Sequence, residues 1–296
     1  MQRIKKDFWF DFCIYCALVI LCVVTLYPFL NVLALSFNES GDAVRGGIHI
    51  WPRKFTLRNY EQLLQYKTLF TAFINSVVRT VVGTGIGLVF TSMTAFVLSR
   101  KDFLFRKQAT LMFTLTMYVS GGLIPSYLLI KQLGLFNNFL VYIIPGIIWV
   151  YCVILMRTYM DSLPFSLQES AMIDGATDFY IFLRIILPLC LPSLATVALF
   201  YAVGHWNSWF DAYLYTSRRV ELTLLQFELQ KVIQDTAASS GFAGASSEEM
   251  ASRAMQVTPK SIQMAITIVV ITPIMLVYPF IQKYFIKGMT VGSVKG

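Results

Sequence analysis

The sequence predicts an all-α polytopic membrane protein with about six transmembrane helices. Of its 296 residues, 56% are hydrophobic and only 14% are charged, whereas soluble domains carry roughly 25% charged residues. Apolar stretches of about 20 residues, long enough to cross a hydrocarbon core of roughly 30 Å, recur along the chain. No separate soluble segment lies between them, so we predict a single transmembrane domain over residues 1–296.

The predicted spans follow the apolar stretches. They lie near residues 12–37, 74–98, 109–130, 138–156, 189–216 and 262–286. The first span follows a basic N-terminus but is too long for the apolar part of a signal peptide, and it lacks an A-x-A cleavage pattern. We therefore expect it to be retained. Six crossings place both termini on the same side of the membrane.

The basic residues predict which side that is. Residues 99–108 carry four Lys and Arg in ten positions, and short basic loops beside span ends stay in the cytoplasm. We therefore predict cytoplasmic termini, a cytoplasmic segment 157–188, and outer loops 38–73 and 217–261. This use of charge explains the formal net charge of +8 better than nucleic-acid binding does, because no basic run is interleaved with exposed aromatic residues.

The sequence contains no pattern expected of a nucleotide-hydrolysing or metal-dependent enzyme. No G-x-x-x-x-G-K-[ST] sequence, which would cradle phosphates, occurs in it. No cluster of His, Cys or carboxylate residues on a common face indicates a catalytic or metal site. The second span does contain Gly83 and Gly87, whose four-residue spacing lets a neighbouring helix approach closely.

Residues 161–192 carry the most informative pattern. Pro164 presets a turn, Ser166 is predicted to cap a short helix, and Glu169 lies in its first turn, where the helix dipole favours an acid. Gly175 permits a left-handed corner, and a second helix is predicted from about Phe179. From the residues alone, this helix–turn–helix is an interfacial element that couples to a partner or merely tethers two spans.

This segment resembles the EAA loop of bacterial ATP-binding-cassette (ABC) importer permeases. That motif reads E-A-A-x-x-x-G, then nine residues, then I-x-L-P. The matching residues here are Glu169, Ser170, Ala171 and Gly175, followed after nine residues by Ile185, Leu187 and Pro188. Only Ser170 departs from the motif, and it replaces one small residue by another.

The resemblance extends along nearly the whole chain. AFVLSRKDF (95–103), IPSYLLIKQLGLFNN (124–138) and GHWNSWFDAYLY (204–215) are similar to segments of MalG-type sugar permeases. MYVSGGLIPSYLL (117–129) resembles the LplC/YtcP-like branch, which includes permeases for acidic oligosaccharides such as alginate or pectin fragments. The resemblance implies a MalG/MetI-like fold and a permease subunit that imports oligosaccharides across the bacterial cytoplasmic membrane.

The resemblance also implies partners and residue roles. The partners are a second homologous permease in a heterodimer, two ATPase subunits that bind ATP and Mg, an external solute-binding protein and membrane lipid. This chain would bind no cofactor of its own. The EAA helix would couple it to the ATPase, with charge-assisted contacts from Glu169 and Asp174. Ala171 would fit the ATPase groove, and Gly175 would fix the corner.

The predicted fifth span has a polar stripe. Gly204, Ser208, Asp211 and Tyr215 recur at steps of four, three and four, which places them on one face of a continuous helix. Intramembrane polar groups usually face a bundle interior or a water-filled cavity. The candidate pathway residues are Asn207, Ser208 and Asp211, with Trp206, Trp209 and Tyr213 as aromatic surfaces for sugar rings. The alternative is an interfacial aromatic belt.

Arg79, near the start of the second span, is expected to snorkel to the headgroups, the alternative being contact with an acidic sugar. Residues 221–234 begin with a helix-compatible run, and residues 236–252 are rich in Ala, Ser and Gly and are expected to be flexible. The remaining functional alternatives are an ATP-independent secondary transporter of small polar solutes and a membrane enzyme.

Overall fold

A computed structural model describes residues 2–240 and 258–293, and the regular structure of these residues is helical apart from an isolated β-bridge between Asn38 and Phe55. The α-helices are α1 Gln2–Ser36, α2 Ser40–Val44, α3 Arg58–Gln65, α4 Lys67–Ser99, α5 Arg106–Tyr118, α6 Leu123–Gln132, α7 Val150–Asp161, α8 Ser166–Ile173, α9 Asp178–Tyr180, α10 Leu187–Leu189, α11 Leu191–Asn207, α12 Phe210–Tyr215, α13 Leu225–Ser240 and α14 Pro259–Ser293. Three 3₁₀ turns, Phe139–Tyr142, Ile144–Gly146 and Val220–Leu222, and a π-helical segment, Ile181–Ile186, connect them.

The chain divides into two compact units. The first contains Met1–Lys67 and Leu229–Thr272, and the second contains Thr68–Glu228 and Pro273–Gly296. The single transmembrane domain over residues 1–296 stays a prediction.

The helices match the predicted number of spans. Three are long and apolar enough to cross a membrane: Trp9–Ser36 within α1, Lys67–Ser99, and Pro259–Pro279 within α14. Three bent pairs also satisfy the length and composition of a span: α5 with α6, Phe139–Gly146 with α7, and Asp178–Leu189 with α11. With each bent pair taken as one span, the described residues contain six.

The structure corrects the shape of three predicted spans. The 109–130 segment bends by 114° between α5 and α6, where Gly122 adopts a φ of 85° that side-chain-bearing residues rarely reach. The 138–156 segment bends by 45°. The 189–216 segment contains two helices, because Ser208 has an extended ψ of 119° that ends α11. The predicted second span also begins earlier, at Lys67.

In the first unit, buried asparagines organise the chain that follows α1. The Asn59 side-chain amide donates to the carbonyl oxygens of Ser36 and Asn38, at 2.8 and 2.9 Å. Asn38 in turn accepts from the backbone N–H of Lys54 and donates to Asp42. This hydrogen bond from Asn38 is the main cause that holds the pKa of Asp42 below its usual value. Much of the predicted loop 38–73 is therefore an ordered, hydrogen-bonded element.

In the second unit, glycines of α4 allow aromatic residues of α11 to approach closely. A Cβ atom built on Gly83 would lie 2.6 Å from His205 Nε2, and one on Gly87 would lie 2.6 Å from Tyr201 Cε1. Tyr201 is fully buried and hydrogen-bonds Thr91 through its hydroxyl at 2.7 Å. The close helix approach predicted from the spacing of Gly83 and Gly87 is confirmed, and the neighbour is α11.

This contact leads to a prediction with an internal control. Gly87→Ala is expected to lower the thermal unfolding temperature of the purified protein, because the added methyl group overlaps the Tyr201 ring and overpacking costs about 1–3 kcal/mol. Gly85→Ala is the control, since a Cβ atom there meets nothing within 4 Å. An unfolding temperature for Gly87→Ala equal to that of Gly85→Ala would contradict this account of the packing.

Candidate functional site

The surface helix α8 begins without the side-chain cap that the sequence predicted. Its N-cap residue is Phe165, which makes no side-chain capping bond, and Ser166 is already the first helical residue. The first turn is instead closed by the Phe165 carbonyl oxygen, which accepts from Glu169 N–H at 3.1 Å. Glu169 lies in the first turn as predicted, where the helix dipole favours its charge.

The other end of α8 closes in a glycine corner, as predicted. Gly175 has a φ of 78°. Its N–H donates to Met172 O at 3.0 Å, and Ala176 N–H donates to Ala171 O at 2.9 Å. These two bonds form a Schellman motif, which satisfies the last helical carbonyls and requires a left-handed residue at the corner.

The two faces of α8 differ in burial. Gln168 and Ala171 point inwards, and Ala171 belongs to the hydrophobic core that also contains Phe96, Ile181 and Phe182. The exposed side chains are Ser166, Leu167, Glu169, Ser170, Met172, Ile173 and that of the C-cap residue Asp174. The interpretation of Ala171 as a residue that fits a partner's groove is therefore corrected, since its side chain is used inside this chain. The outward surface is instead an exposed Ile173 between two carboxylates.

The second helix of the pair starts where the sequence placed it. The Thr177 side chain accepts from Tyr180 N–H at 3.4 Å and caps α9. The helix then widens into the π-helical segment Ile181–Ile186 and ends through Pro188 in α10. Of the motif residues, Ile185 and Leu187 are half-buried and Pro188 is exposed. Ile186, which lies between them, is the buried member of this stretch.

Arg100, whose contacts no sequence pattern indicates, joins this helix pair to the end of α4. Its guanidinium donates to both carboxylate oxygens of Asp102, at 2.9 and 2.8 Å. It also pairs with Asp178 at 3.0 Å and donates to Gln168 Oε1 at 3.4 Å. The hydrogen bond with Asp102 is the main cause that raises the pKa of Arg100 and lowers that of Asp102. The sequence indicates Arg100 only as one of the four basic residues in 99–108 that predict a cytoplasmic loop.

Arg106 and Arg157 form ion pairs with Asp161 that link the helices next to α8. Arg106 donates to both oxygens of Asp161, at 2.9 and 3.1 Å, and to the carbonyl of Leu98. Arg157 pairs with the same carboxylate at 3.4 Å and donates to Thr110 at 2.6 Å. The beginning of α5, the end of α7 and the end of α4 are therefore tied together on the side that carries α8.

An ion pair with a buried arginine lies in the first half of α4. Arg79 is only 3% exposed. Its guanidinium pairs with Asp211 and donates to Ser208 O at 3.1 Å, and it lies 4.9 Å from the centre of the Tyr142 ring. Ser208 Oγ donates to the same Asp211 carboxylate at 2.9 Å. The prediction that Arg79 snorkels to the headgroups is wrong, because its guanidinium is buried and is held inside the protein by the half-buried carboxylate of Asp211.

The remaining candidate pathway residues do not share one surface. The predicted continuous face fails because α11 ends at Asn207 and α12 begins at Phe210. Trp206 is buried against Phe73, whose ring centre is 6.2 Å away. Asn207 and Tyr213 are exposed, and Trp209 is half-buried with its ring centre 6.2 Å from that of Tyr213. Ser208 and Asp211 are brought together by the break between the helices.

The loop between the last two predicted spans contains a helix, as expected. Asn75 donates to the carbonyl oxygens of Glu221 and Thr223, at 2.7 and 3.0 Å, which fastens the loop to α4. The helix α13 continues to Ser240, so residues 236–240 of the stretch expected to be flexible are helical. Residues 241–252 lie outside the described residues.

Comparison with known proteins gives a consistent set of relatives, although no protein-family model matches the chain. The sequence is 37% identical to the polygalacturonan/rhamnogalacturonan transport system permease protein YtcP of Bacillus subtilis, over 98% of this chain and 100% of that protein. It is 35% identical to Protein LplC of Bacillus subtilis, over 100% and 98% of the two chains. It is also 30% identical to the arabinooligosaccharides transport system permease protein AraQ of Halalkalibacterium halodurans, over 92% of each.

A solved structure agrees with these relatives. The fold matches a chain in the crystal structure of a bacterial ABC transporter involved in the import of the acidic polysaccharide alginate. The TM-score is 0.84 and the sequences are 29% identical, with 95% of this chain and 98% of that chain covered.

Proposed function

Because the chain belongs to the carbohydrate permease family of ABC importers, we propose that it forms one half of an oligosaccharide channel in the bacterial cytoplasmic membrane. It is a transport subunit, and ATP is hydrolysed by partner ATPase subunits that carry the Mg. A second homologous permease completes the channel, and an external binding protein delivers the sugar. The proposal includes cytoplasmic termini, on the side of the basic segment 99–108.

The observation that carries this proposal is the outward surface of α8. Ile173 is 81% exposed and lies between Glu169 and Asp174, while the opposite face of the helix is buried in the chain's own core. An apolar side chain at the tip of a rigid, charged corner fits a cleft in a partner protein. The corner is stiff because the Schellman motif closes one helix and Thr177 caps the next, so displacement of α8 is passed on to the spans as a rigid movement.

Little of α1 is covered by the rest of the chain, which supports membrane lipid and a second permease as its partners. Only 6% of the apolar window in Trp9–Ser36 is buried inside the chain, against 39% for α4. Such an apolar surface favours an apolar environment, because the transfer of apolar area out of water lowers the free energy. Membrane lipid and the second permease supply that environment.

We further propose that the transported oligosaccharide is acidic. The YtcP relative is named for polygalacturonan and rhamnogalacturonan, and the matching structure belongs to an importer of the acidic polysaccharide alginate. The candidate contacts are Asn207, Ser208, Trp209, Asp211 and Tyr213. Exposed Asn207 and Tyr213 are the members best placed to meet a sugar, whereas Trp206 is buried.

Cysteine cross-linking in the assembled importer tests the position of α8. The exposed native residues Cys13, Cys16 and Cys22 are first replaced by Ser. Ile173→Cys is then expected to cross-link to an ATPase subunit that carries a single cysteine in its cleft. Leu64→Cys is the control, because Leu64 is 82% exposed in α3 on the predicted outer side. Equal capture at both positions, or none at Ile173, would contradict the coupling assignment.

The same assembled importer tests the substrate class. Reconstituted in liposomes with its binding protein, it is expected to take up an oligogalacturonate and to leave an uncharged maltooligosaccharide of equal length outside. Preferential uptake of the uncharged sugar would contradict the acidic assignment and leave the coupling assignment intact.

A further inference from the structure

Arg100 is buried, although most residues of the segment 99–108 are exposed at the surface of the chain. Only 8% of Arg100 is exposed, whereas its neighbours Lys101 and Asp102 are exposed. Arginine is almost never fully buried unless it is paired, and a guanidinium fork suits bidentate binding of a carboxylate. The local partner is Asp102, which holds both ends of the fork.

The remaining contacts of Arg100 reach both helices of the α8–α9 corner. On α9 it pairs with Asp178 at 3.0 Å. On α8 it reaches Gln168 Oε1 at 3.4 Å and Met172 Sδ at 3.7 Å. Its guanidinium also lies 5.8 Å from the centre of the Phe96 ring, and that ring is 5.2 Å from Phe182 in the following π-helical segment. A single side chain therefore bridges α4, α8 and α9.

The helix that ends beside Arg100 also carries Arg79, the buried member of the ion pair with Asp211. From Lys67 to Ser99, α4 is one uninterrupted helix of 33 residues, about 50 Å long at 1.5 Å per residue. Arg79 belongs to this helix and pairs with Asp211, which is itself a candidate pathway residue. When α4 moves as a rigid rod, a movement that starts at its Arg100 end also displaces the Arg79–Asp211 pair.

We propose that Arg100 is the positioning residue that links movement of the coupling helix α8 to the second span, and hence to the transport pathway. The inference rests on the proposed function, because α8 must be driven by an ATPase for the link to transmit anything. A guanidinium is suited to this role because its planar fork contacts several acceptors in a fixed geometry. A side chain that only stabilised the fold would not affect how much sugar moves per ATP hydrolysed.

The test is the coupling ratio, measured as sugar taken up per ATP hydrolysed by the complete importer in liposomes. Arg100→Gln is expected to lower this ratio at least tenfold. Arg100→Lys is expected to lower it less, because it keeps the charge and loses the fork. Lys107→Gln is the matched control, since it removes one exposed positive charge from the same segment and is expected to leave the ratio unchanged.

Asp178→Asn keeps the test decisive if Arg100 variants fail to assemble. Arg100 then remains bound to Asp102, so the fold is retained while the ionic link to α9 is lost, and the coupling ratio is expected to fall severalfold. A normal ratio in Arg100→Gln, or in Asp178→Asn where the Arg100 variants fail to assemble, would overturn the inference. A loss of uptake fully explained by fewer assembled complexes, with the ratio preserved, would overturn it as well.

The cross-link from Ile173→Cys distinguishes failure of the role proposed for Arg100 from failure of the proposed function. If it forms in the wild-type background and in Arg100→Gln while the coupling ratio stays normal, only the role of Arg100 is refuted. If it forms in neither background, the proposed function itself fails.

Discussion

Asp211→Leu is expected to destabilise the second unit strongly. The substitution leaves the Arg79 guanidinium buried without its counter-ion, and breaking such a pair from one side costs roughly 3–5 kcal/mol. Because the Asp211 side chain is 34% exposed, we expect a value near the lower end, about 3 kcal/mol. The measurements are the amount of protein in the membrane and its thermal unfolding in detergent.

Two companion variants give this prediction its controls. Asp211→Glu keeps a carboxylate and is expected to retain most of the stability. The double variant Arg79→Met/Asp211→Leu removes both charges, and apolar replacement of a whole buried pair is often neutral or stabilising. It is therefore expected to recover the folded protein. Wild-type unfolding of Asp211→Leu, or a double variant no better than the single one, would show that the pair is not the source of the effect.

Gly175→Val is expected to abolish transport while the protein still accumulates in the membrane. The residue has a φ of 78°, which for a β-branched side chain is a genuine outlier. The corner must then rearrange and turn α9 away from α8. The cause is backbone strain alone, because a Cβ atom at this position meets nothing within 4 Å. We expect uptake to fall more than tenfold, as measured with radiolabelled sugar in vesicles.

Gly175→Asn provides the comparison for this corner. Asn adopts the left-handed region more readily than other side-chain-bearing residues, and its side chain has the same open space in front of it. Uptake is therefore expected to stay within a few-fold of the wild-type rate. Equal inactivity of both variants would mean that bulk at the partner surface, and not the backbone angle, determines the requirement for glycine.

Features that depend on residues close together in the sequence were predictable from it. The positions of the spans follow from the length of the apolar stretches, and the left-handed corner at Gly175 follows from chirality. The close approach at Gly83 and Gly87 follows from helix periodicity, although the partner helix α11 could not be named. The EAA motif located α8, but it did not show that Ala171 points inwards, because which face of a short helix is buried depends on what packs beneath it.

The sequence by itself therefore determined the class of protein, the number of apolar segments and the position of the corner between α8 and α9. Each of these follows from composition or from local backbone chemistry. Only the tertiary structure decided how the charged residues are used. Arg79 and Asp211 are 132 positions apart, and Arg100 is 68 positions from Gln168. Pairing over such distances depends on how α4 packs against the later helices, because a buried charge is tolerated only where the fold brings its counter-ion into contact.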